Sequence, residues 1–386
     1  MKICFIRLMP YPYTIGGGTT YLTEFAKALI KKGHEVYIIS SKPEKESKIE
    51  INNAIKIYNV GLRHKKISKN LLFAPYDIIR RISYEISFMI QSYKTVTEIS
   101  PDLIQCETGL TESLSFALMN KKFIIREHGR HILGITEFYK KSNNPIHKIG
   151  LWVYKKIENF DVKKARKIIC ISNETKQYYE KFAGKKCILL GNGIDISNFK
   201  PLKKKNQYFF LGRISKEKGL DLLLEALDIL DNKKNKRIKV IIAGDGDKDY
   251  LSSLKIKASK LKNIDVSFVG KKIGKEKTKL FGESSHFISP STSETFGITI
   301  LEAMASGCAV ISSNTEGPKE IVKSSFGKIV NYSNKEERAG NLAKAIEYSI
   351  DWDIGKMGKE ARKEVKKYEI SSLVDKYLKI YKEVLK

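Results

Sequence analysis

Residues 286–312 read HFISPSTSETFGITILEAMASGCAVIS. The opening apolar run, 286–289, reads as a strand, and 290–295 as a Ser/Thr-rich loop. Residues 298–306 read as a helix closed by Gly307, and 309–312 as a second strand. Strand, loop, helix and strand in that order make one βαβ unit, the building block of a parallel sheet. Two carboxylates, Glu294 and Glu302, stand in this stretch, one in the loop and one inside the helix. Gly297 precedes the helix, so its first free backbone N–H groups point at whatever occupies the loop. Such an end favours anions and hydroxyl acceptors. One acid can then sit at the reacting end of a polar ligand while the other holds a diol further back.

The same alternation runs outward from this unit. Toward the N-terminus, strands are expected at 208–211, 238–243 and 266–269, with helices at 219–230, 250–261 and 276–281; a short helix follows at 319–322. The first half repeats the plan. Strands are expected at 3–8, 35–40, 55–60, 103–106, 123–127, 167–171 and 187–190, with a helix at 20–31 stopped by Gly33. Continuous apolar strands between helices indicate parallel sheets covered on both faces. The chain therefore reads as α/β with two Rossmann-like domains. Residues 1–190 form the first and 191–369 the second; a linker at 191–201 runs into Lys203-Lys204-Lys205, and a final helix covers 370–385.

At 386 residues the chain is too long for one ordinary domain, and 42% hydrophobic residues suffice to build cores. No apolar run reaches the roughly 18 residues that suggest a membrane span, and the opening MKICFIR reads as a strand, not a signal peptide. Cys4, Cys106, Cys170, Cys187 and Cys308 are scattered, with no C-x-x-C spacing. Reduced core thiols in a cytosolic protein fit that pattern better than a metal cluster. The net charge of +28 is spread over both halves and comes mostly from lysine. A solvated lysine surface explains it, as does attraction to anionic lipid head groups or lipid-linked phosphates. Nucleic acid is disfavoured, because no recognised binding motif accompanies the charge.

Several short runs carry possible chemistry. Gly16-Gly17-Gly18 follows the first strand and precedes a helix, which permits close backbone approach to a phosphate; a plain flexible turn reads the same way. Leu211-Gly212-Arg213-Ile214-Ser215-Lys216-Glu217-Lys218-Gly219 also joins a strand to a helix. Arg213 can clamp phosphate with its planar fork and Lys218 can add a point charge. His128-Gly129 ends the strand at 123–127, with His131 a competitor and Glu127 and Arg130 unassigned. Two D-x-D strings, Asp245-Gly246-Asp247 and Asp351-Trp352-Asp353, read as chance in a charged chain. Residues 77–94 place Ile78, Ile79, Ile82, Ile86, Met89 and Ile90 at helical spacing, reading as a core-facing helix. An interfacial helix is the alternative, supported by Leu62-Arg63-His64-Lys65-Lys66, Phe73 and Tyr76; Trp152 with Lys155-Lys156 is a second such patch.

Taken together, these runs resemble the retaining glycosyltransferases of GT-B architecture, in the family 4 type. The stretch containing Glu294 and Glu302 is similar to that family's P-S-x-x-E-x-F-G-x-x-x-x-E-A-M-A-x-G-x-x-V-I pattern, and the run from Gly212 to its G-R-x-x-x-x-K-G pattern. Glu316-Gly317-Pro318-Lys319-Glu320 departs from the usual G-G-x-x-E. The resemblance implies two domains facing across a cleft, with 370–386 packed back on the first. It implies that a nucleoside-diphosphate hexose binds the second domain. Arg213 and Lys218 would hold the diphosphate and Glu302 the ribose. Glu294, His128 and the backbone of Phe296 and Gly297 would meet the sugar. Amides near Ile300 would reach phosphate or ribose, and Gly17 and Gly18 would face donor and acceptor. The catalytic set is then His128, Glu294, Arg213 and Lys218, with no metal and no cofactor beyond the sugar nucleotide. A glycan or polyprenyl-type lipid-linked acceptor at the inner face of the cell membrane is expected. A soluble enzyme acting on a small sugar or sugar phosphate is the alternative. A basic nucleic-acid-binding α/β protein is a more distant one, which has no use for the paired acids.

Overall fold

The computed structural model describes residues 1–8, 16–42, 48–52, 54–61, 75–129, 145–232 and 238–386. Arg63, His64, Lys65, Lys66, Phe73, Arg130 and His131 lie outside these residues, and the side chains of 75–82 are likewise not described. The chain divides into two compact units: Met1–Gly191 with Leu373–Lys386, and Asn192–Ser372.

The first unit runs β1 (Lys2–Arg7), α1 (Gly17–Lys31), β2 (Glu35–Lys42), β3 (Lys48–Asn52), β4 (Ile55–Gly61), α2 (Pro75–Ile99) and β5 (Leu103–Cys106). It continues with α3 (Leu114–Leu118), β6 (Phe123–Glu127), α4 (Pro145–Lys164), β7 (Lys167–Cys170), α5 (Asn173–Ala183) and β8 (Ile188–Leu189). The sheet order is β3-β4-β2-β1-β5-β6-β7-β8. Strands with no polar face, such as β1 with Ile3, Cys4, Phe5 and Ile6 fully buried, take central places because helices cover both sides. In α1 the buried stripe is Tyr21, Leu22, Phe25, Ala26 and Leu29, and Gly33, at φ +81°, ends the turn. The chain winds one way from β1 to β2 and the other way to β5, so a topological switch point lies between β1 and β5.

The sheet is parallel except for β3, which pairs antiparallel with β4. β3 is a strand that the sequence pattern did not announce, added at the edge of an otherwise parallel sheet. On edge strand β3 the apolar residues Ile49 and Ile51 are the exposed ones, 62% and 73%, so no buried alternation marks it in sequence. α2 faces the core as expected, but not through the isoleucines that the spacing singled out. Its core side carries Phe88, Ser92 and Val96, while Ile86 and Ile90 are about half exposed.

The second unit runs β9 (Lys205–Leu211), α6 (Leu220–Asp231), β10 (Ile238–Ala243), α7 (Lys248–Ala258), β11 (Ile264–Phe268), α8 (Gly274–Glu283) and β12 (Ser284–Ser289). Then follow α9 (Ile298–Ala305), β13 (Ala309–Ser313), α10 (Pro318–Ile321), β14 (Gly327–Val330), α11 (Arg338–Ser349) and α12 (Ile354–Val365). The last helix, α13 (Ile370–Leu385), contributes its residues from Leu373 onward to the first unit. The six strands are all parallel, in the order β11-β10-β9-β12-β13-β14. Their switch point lies between β9 and β12. The lysine run after the expected linker belongs to the fold: Lys205 opens β9, and the Lys204 ammonium donates to the Ser284 and Ser306 carbonyls at 2.8 Å each. All five cysteines are buried free thiols.

Candidate active site

In the second unit, two loops leave the C-terminal ends of neighbouring strands, where open α/β sheets place their ligands. The loop after β9 carries Gly212 and Arg213, makes one 3-10 turn through Lys216–Lys218, and enters α6 through Gly219. The loop after β12 carries Pro290 to Gly297 and enters α9. They meet closely. The Thr292 amide donates to the Glu217 carbonyl at 2.8 Å, and Lys218 Nζ lies 2.7 Å from Glu294 Oε2. Both side chains of this ion pair are less than a quarter exposed. Gly219 permits the approach. It sits at φ +69°, and a Cβ there would lie 2.0 Å from the Pro290 carbonyl oxygen.

Arg213 stands at the mouth of the same loop with its side chain 61% exposed, 4.0 Å from Glu217 across one turn. A guanidinium so placed keeps most of its donors available. Glu294 also receives the Phe296 amide at 3.4 Å. Gly297, at φ +95°, caps α9 without any side-chain cap, which leaves the first N–H groups of that helix to be met from outside it. The Ile300 amide, expected to reach a ligand, instead donates to the Gly297 carbonyl at 2.9 Å.

Glu302 is 3% exposed because α9 is buried along nearly its whole length. Its Oε1 is 2.8 Å from Lys277 Nζ of α8, whose ammonium also lies over the Phe199 ring at 5.4 Å. Each acid of the pair is thus held by a lysine, Glu294 by Lys218 and Glu302 by Lys277. Sequence reasoning missed Lys277, one of several lysines in GKEKTK, because nothing local says which one faces α9. It also set aside Gly317. That residue's amide donates to the Glu294 carbonyl at 3.2 Å, and a Cβ there would fall 2.2 Å from the Phe296 Cα. Gly317 therefore supports the Glu294 loop despite the unusual Glu316 before it.

The D-x-D strings have structural roles. Asp247 caps α7 by accepting the Tyr250 amide, and Asp353 caps α12 by accepting the Lys356 amide, both at 3.0 Å. Among the described residues no three His, Cys, Asp or Glu side chains converge in a group able to hold a metal ion.

The first unit holds the remaining expected residues. Gly17 begins α1, and a Cβ on Gly18 would lie 3.4 Å from the Arg7 guanidinium, which donates to Thr19 Oγ1 at 3.3 Å. His128 follows β6 and is partly exposed. Its Nε2 lies 2.7 Å from Glu107 Oε2 and 2.7 Å from Arg126 Nη1. Burial and the Arg126 charge push the imidazole down to about 4 against the pull of Glu107, so the ring is neutral at pH 7. Burial would raise the Glu107 carboxyl, but the hydrogen bond to His128 and the Arg126 charge outweigh it and hold the group at about 2. Glu127 faces elsewhere: its Oε1 accepts the Gly109 amide at 2.9 Å. It belongs to a buried acid group with Glu158 and Asp161, which hold Tyr179 and the Leu110 amide, and burial raises all three carboxyls.

Comparison with known proteins covers nearly the whole chain. Residues 15–198 match the family model described as Glycosyltransferase Family 4, and residues 194–369 match Glycosyl transferases group 1. The chain is 26% identical over 398 residues to a Campylobacter jejuni enzyme, covering 100% of this chain and 99% of that one. That relative is the GalNAc-alpha-(1->4)-GalNAc-alpha-(1->3)-diNAcBac-PP-undecaprenol alpha-1,4-N-acetyl-D-galactosaminyltransferase. This chain is also 20% identical over 403 residues to the phosphatidyl-myo-inositol mannosyltransferase of Mycobacterium tuberculosis, covering 98% and 96%. Among solved structures, Anabaena HepE in complex with UDP and glucose superposes with a TM-score of 0.70 at 17% identity, covering 98% and 99%.

Proposed function

Since this chain belongs to the family 4 glycosyltransferases of GT-B architecture, we propose that it moves a hexose from a nucleoside-diphosphate sugar to a lipid-linked or glycan acceptor with retention of configuration. The observation that carries this reading is the Lys218–Glu294 pair, 2.7 Å long, set before α9, with Arg213 on the same loop as Lys218. It joins two positive groups suited to a leaving diphosphate with one acid suited to sugar hydroxyls. Arg213 and Lys218 neutralise charge as the diphosphate departs, which is electrostatic catalysis and substitutes for a divalent ion. Glu302, buried and fixed by Lys277, holds the ribose diol. Glu294 orients the sugar, and His128 acts at the reaction centre as a neutral imidazole. The acceptor attacks from the face the diphosphate leaves, and the departing phosphate oxygen takes the acceptor's proton. No covalent enzyme intermediate is needed.

The acceptor reading draws on the relatives named for undecaprenol-linked and phosphatidylinositol substrates. It also draws on α4, where Trp152, Val153 and Phe160 are 61%, 40% and 39% exposed beside exposed Lys155, Lys156, Lys163 and Lys164. Aromatic side chains among lysines suit an anionic membrane surface. Among the described residues no helix is long and apolar enough to cross a membrane. The test is transfer from labelled nucleotide sugars to short polyprenyl-diphosphate glycans, with the product anomer read by NMR. An axial product from an axial donor supports retention; an inverted product would overturn the mechanism while leaving the transferase intact.

A further inference from the structure

His128 does not stand alone at the end of β6. Behind it runs a closed polar network that ends on the last helix of the chain. Arg126, fully buried, reaches forward with Nη1 to His128 Nε2 and to Glu107 Oε2, the latter at 3.3 Å. It reaches backward with Nε to the Tyr377 hydroxyl at 2.7 Å. Its guanidinium carbon lies over the Tyr21 ring, 3.9 Å from the centroid. Glu107 is held on its other oxygen by Gln105 Nε2 at 2.8 Å, and the Gln105 carbonyl oxygen accepts the Tyr381 hydroxyl at 2.7 Å. Tyr377 and Tyr381 are each fully buried and stand one turn apart on α13.

A fully buried arginine and a glutamate only 3% exposed are costly to bury, and a core of this size would be served by apolar side chains. Every polar atom traced here points along one path toward a partly exposed imidazole. A neutral imidazole can make one bond at Nε2, donating to Glu107 or accepting from Arg126. Which of the two it makes depends on where Arg126 and Glu107 sit, and their other bonds are fixed by the two tyrosines. We infer that Tyr377 and Tyr381 are positioning residues: through Arg126 and Gln105–Glu107, the C-terminal helix sets the tautomer and orientation of His128. The inference rests on the proposed role of His128, yet the coupling it asserts is measurable without catalysis.

The test uses the full-length Tyr377→Phe and Tyr381→Phe variants, which keep the ring packing of 377 on Phe25 and of 381 on 377 and lose only the hydroxyls. The readout is the imidazole 15N signal of His128, followed with pH and assigned by its loss in His128→Ala. Among the described residues, the charged groups facing the ring are Arg126 on β6, Glu107 after β5 and Arg7 at the end of β1. In Tyr377→Phe the Arg126 Nε loses its bond to the hydroxyl, the guanidinium shifts, and the His128 titration moves up toward the ordinary histidine value. The 15N tautomer signature changes with it. kcat falls by about tenfold to a hundredfold, the cost of a misplaced reacting group, with donor KM unchanged. A His128 signal and titration identical to the wild type in both variants overturns the inference, whatever happens to the rate. A His128→Ala enzyme with near-normal transfer would remove His128 from the proposed mechanism. The imidazole titration would still decide the coupling.

Discussion

Gly219→Ala puts one methyl group against the part of the molecule on which the donor site depends. Gly219 sits at φ +69° and ψ 27°, and its added Cβ would lie 2.0 Å from the Pro290 carbonyl oxygen and 2.9 Å from the Pro290 carbonyl carbon. The left-handed conformation costs an alanine about 1–2 kcal/mol. The overlap costs more, because an ordinary contact needs well over 3 Å and both partners are backbone. One loop must therefore move by about 1 Å. The loop after β9 carries Lys218 one residue earlier, and the loop after β12 carries Glu294 four residues later. Their 2.7 Å pair and the 2.8 Å amide bond from Thr292 to Glu217 separate together. A displacement of that size at reacting groups costs about a hundredfold in rate. The expected result is kcat/KM reduced about 100-fold or more, with stability lowered by about 2–3 kcal/mol. Initial rates of nucleotide release and a urea midpoint check both. Wild-type kcat/KM in a variant shown to carry the alanine would refute the claim that this loop contact builds the site.

Three further outcomes are expected. Lys218→Met should lower kcat by about 10²–10³-fold, while the melting temperature moves little, since a partly exposed pair contributes about 1 kcal/mol or less; a normal kcat by steady-state assay removes Lys218 from the diphosphate. Transfer should persist in excess EDTA at close to the rate without it, and loss of activity restored by one divalent ion would contradict the Arg213/Lys218 clamp. The acid group around Glu158 gives a pH dependence. Burial raises its carboxyl from 4.5 to about 7, so the folded state keeps a proton that the unfolded chain releases. Stability from this group is full below about 4.5 and is lost as pH rises toward 7, at about 1.4 kcal/mol per pH unit for one proton. Glu158→Gln should therefore flatten the fall in the urea midpoint between pH 5 and 7; an unchanged slope would show that Glu158 is ionised in the fold.

Much of this was legible in sequence because the central strands have no polar face. ICFI in β1 and VIIA in β10 can only be interior parallel strands, and 286–312 spells out β12, α9 and β13 in one run. What stayed hidden has physical reasons. α12 buries Gly358, Ala361 and Val365, and Gly358 is buried because it packs against the Gly307 carbonyl, 2.6 Å from where a Cβ would stand, a contact that only the fold reveals. α11 likewise relies on Ala343 and Ala345 beside Leu342 and Ile346. β3 shows its isoleucines to solvent. At the candidate site, Arg213, Lys218 and Glu294 are marked by their spacing from glycines and strands. Their supports are not. Lys277 reaches Glu302 from another helix, and Arg126 is tied to Tyr377 across 251 positions. Such pairings are set by packing alone, and no local pattern announces them.

The central claim is that the second unit binds a nucleoside diphosphate through Arg213, Lys218 and Glu302 without a metal. It is tested most directly by thermal unfolding with UDP, GDP, ADP and TDP and their sugar conjugates, in EDTA, on the wild-type chain and on Arg213→Ala. A ligand at about 100 times its dissociation constant stabilises the folded state by roughly 2.7 kcal/mol, which raises the melting temperature by about 5–10 °C for a unit of this size. The account predicts one base standing out and the shift vanishing in Arg213→Ala. No shift with any nucleotide, or an equal shift in the variant, would contradict it.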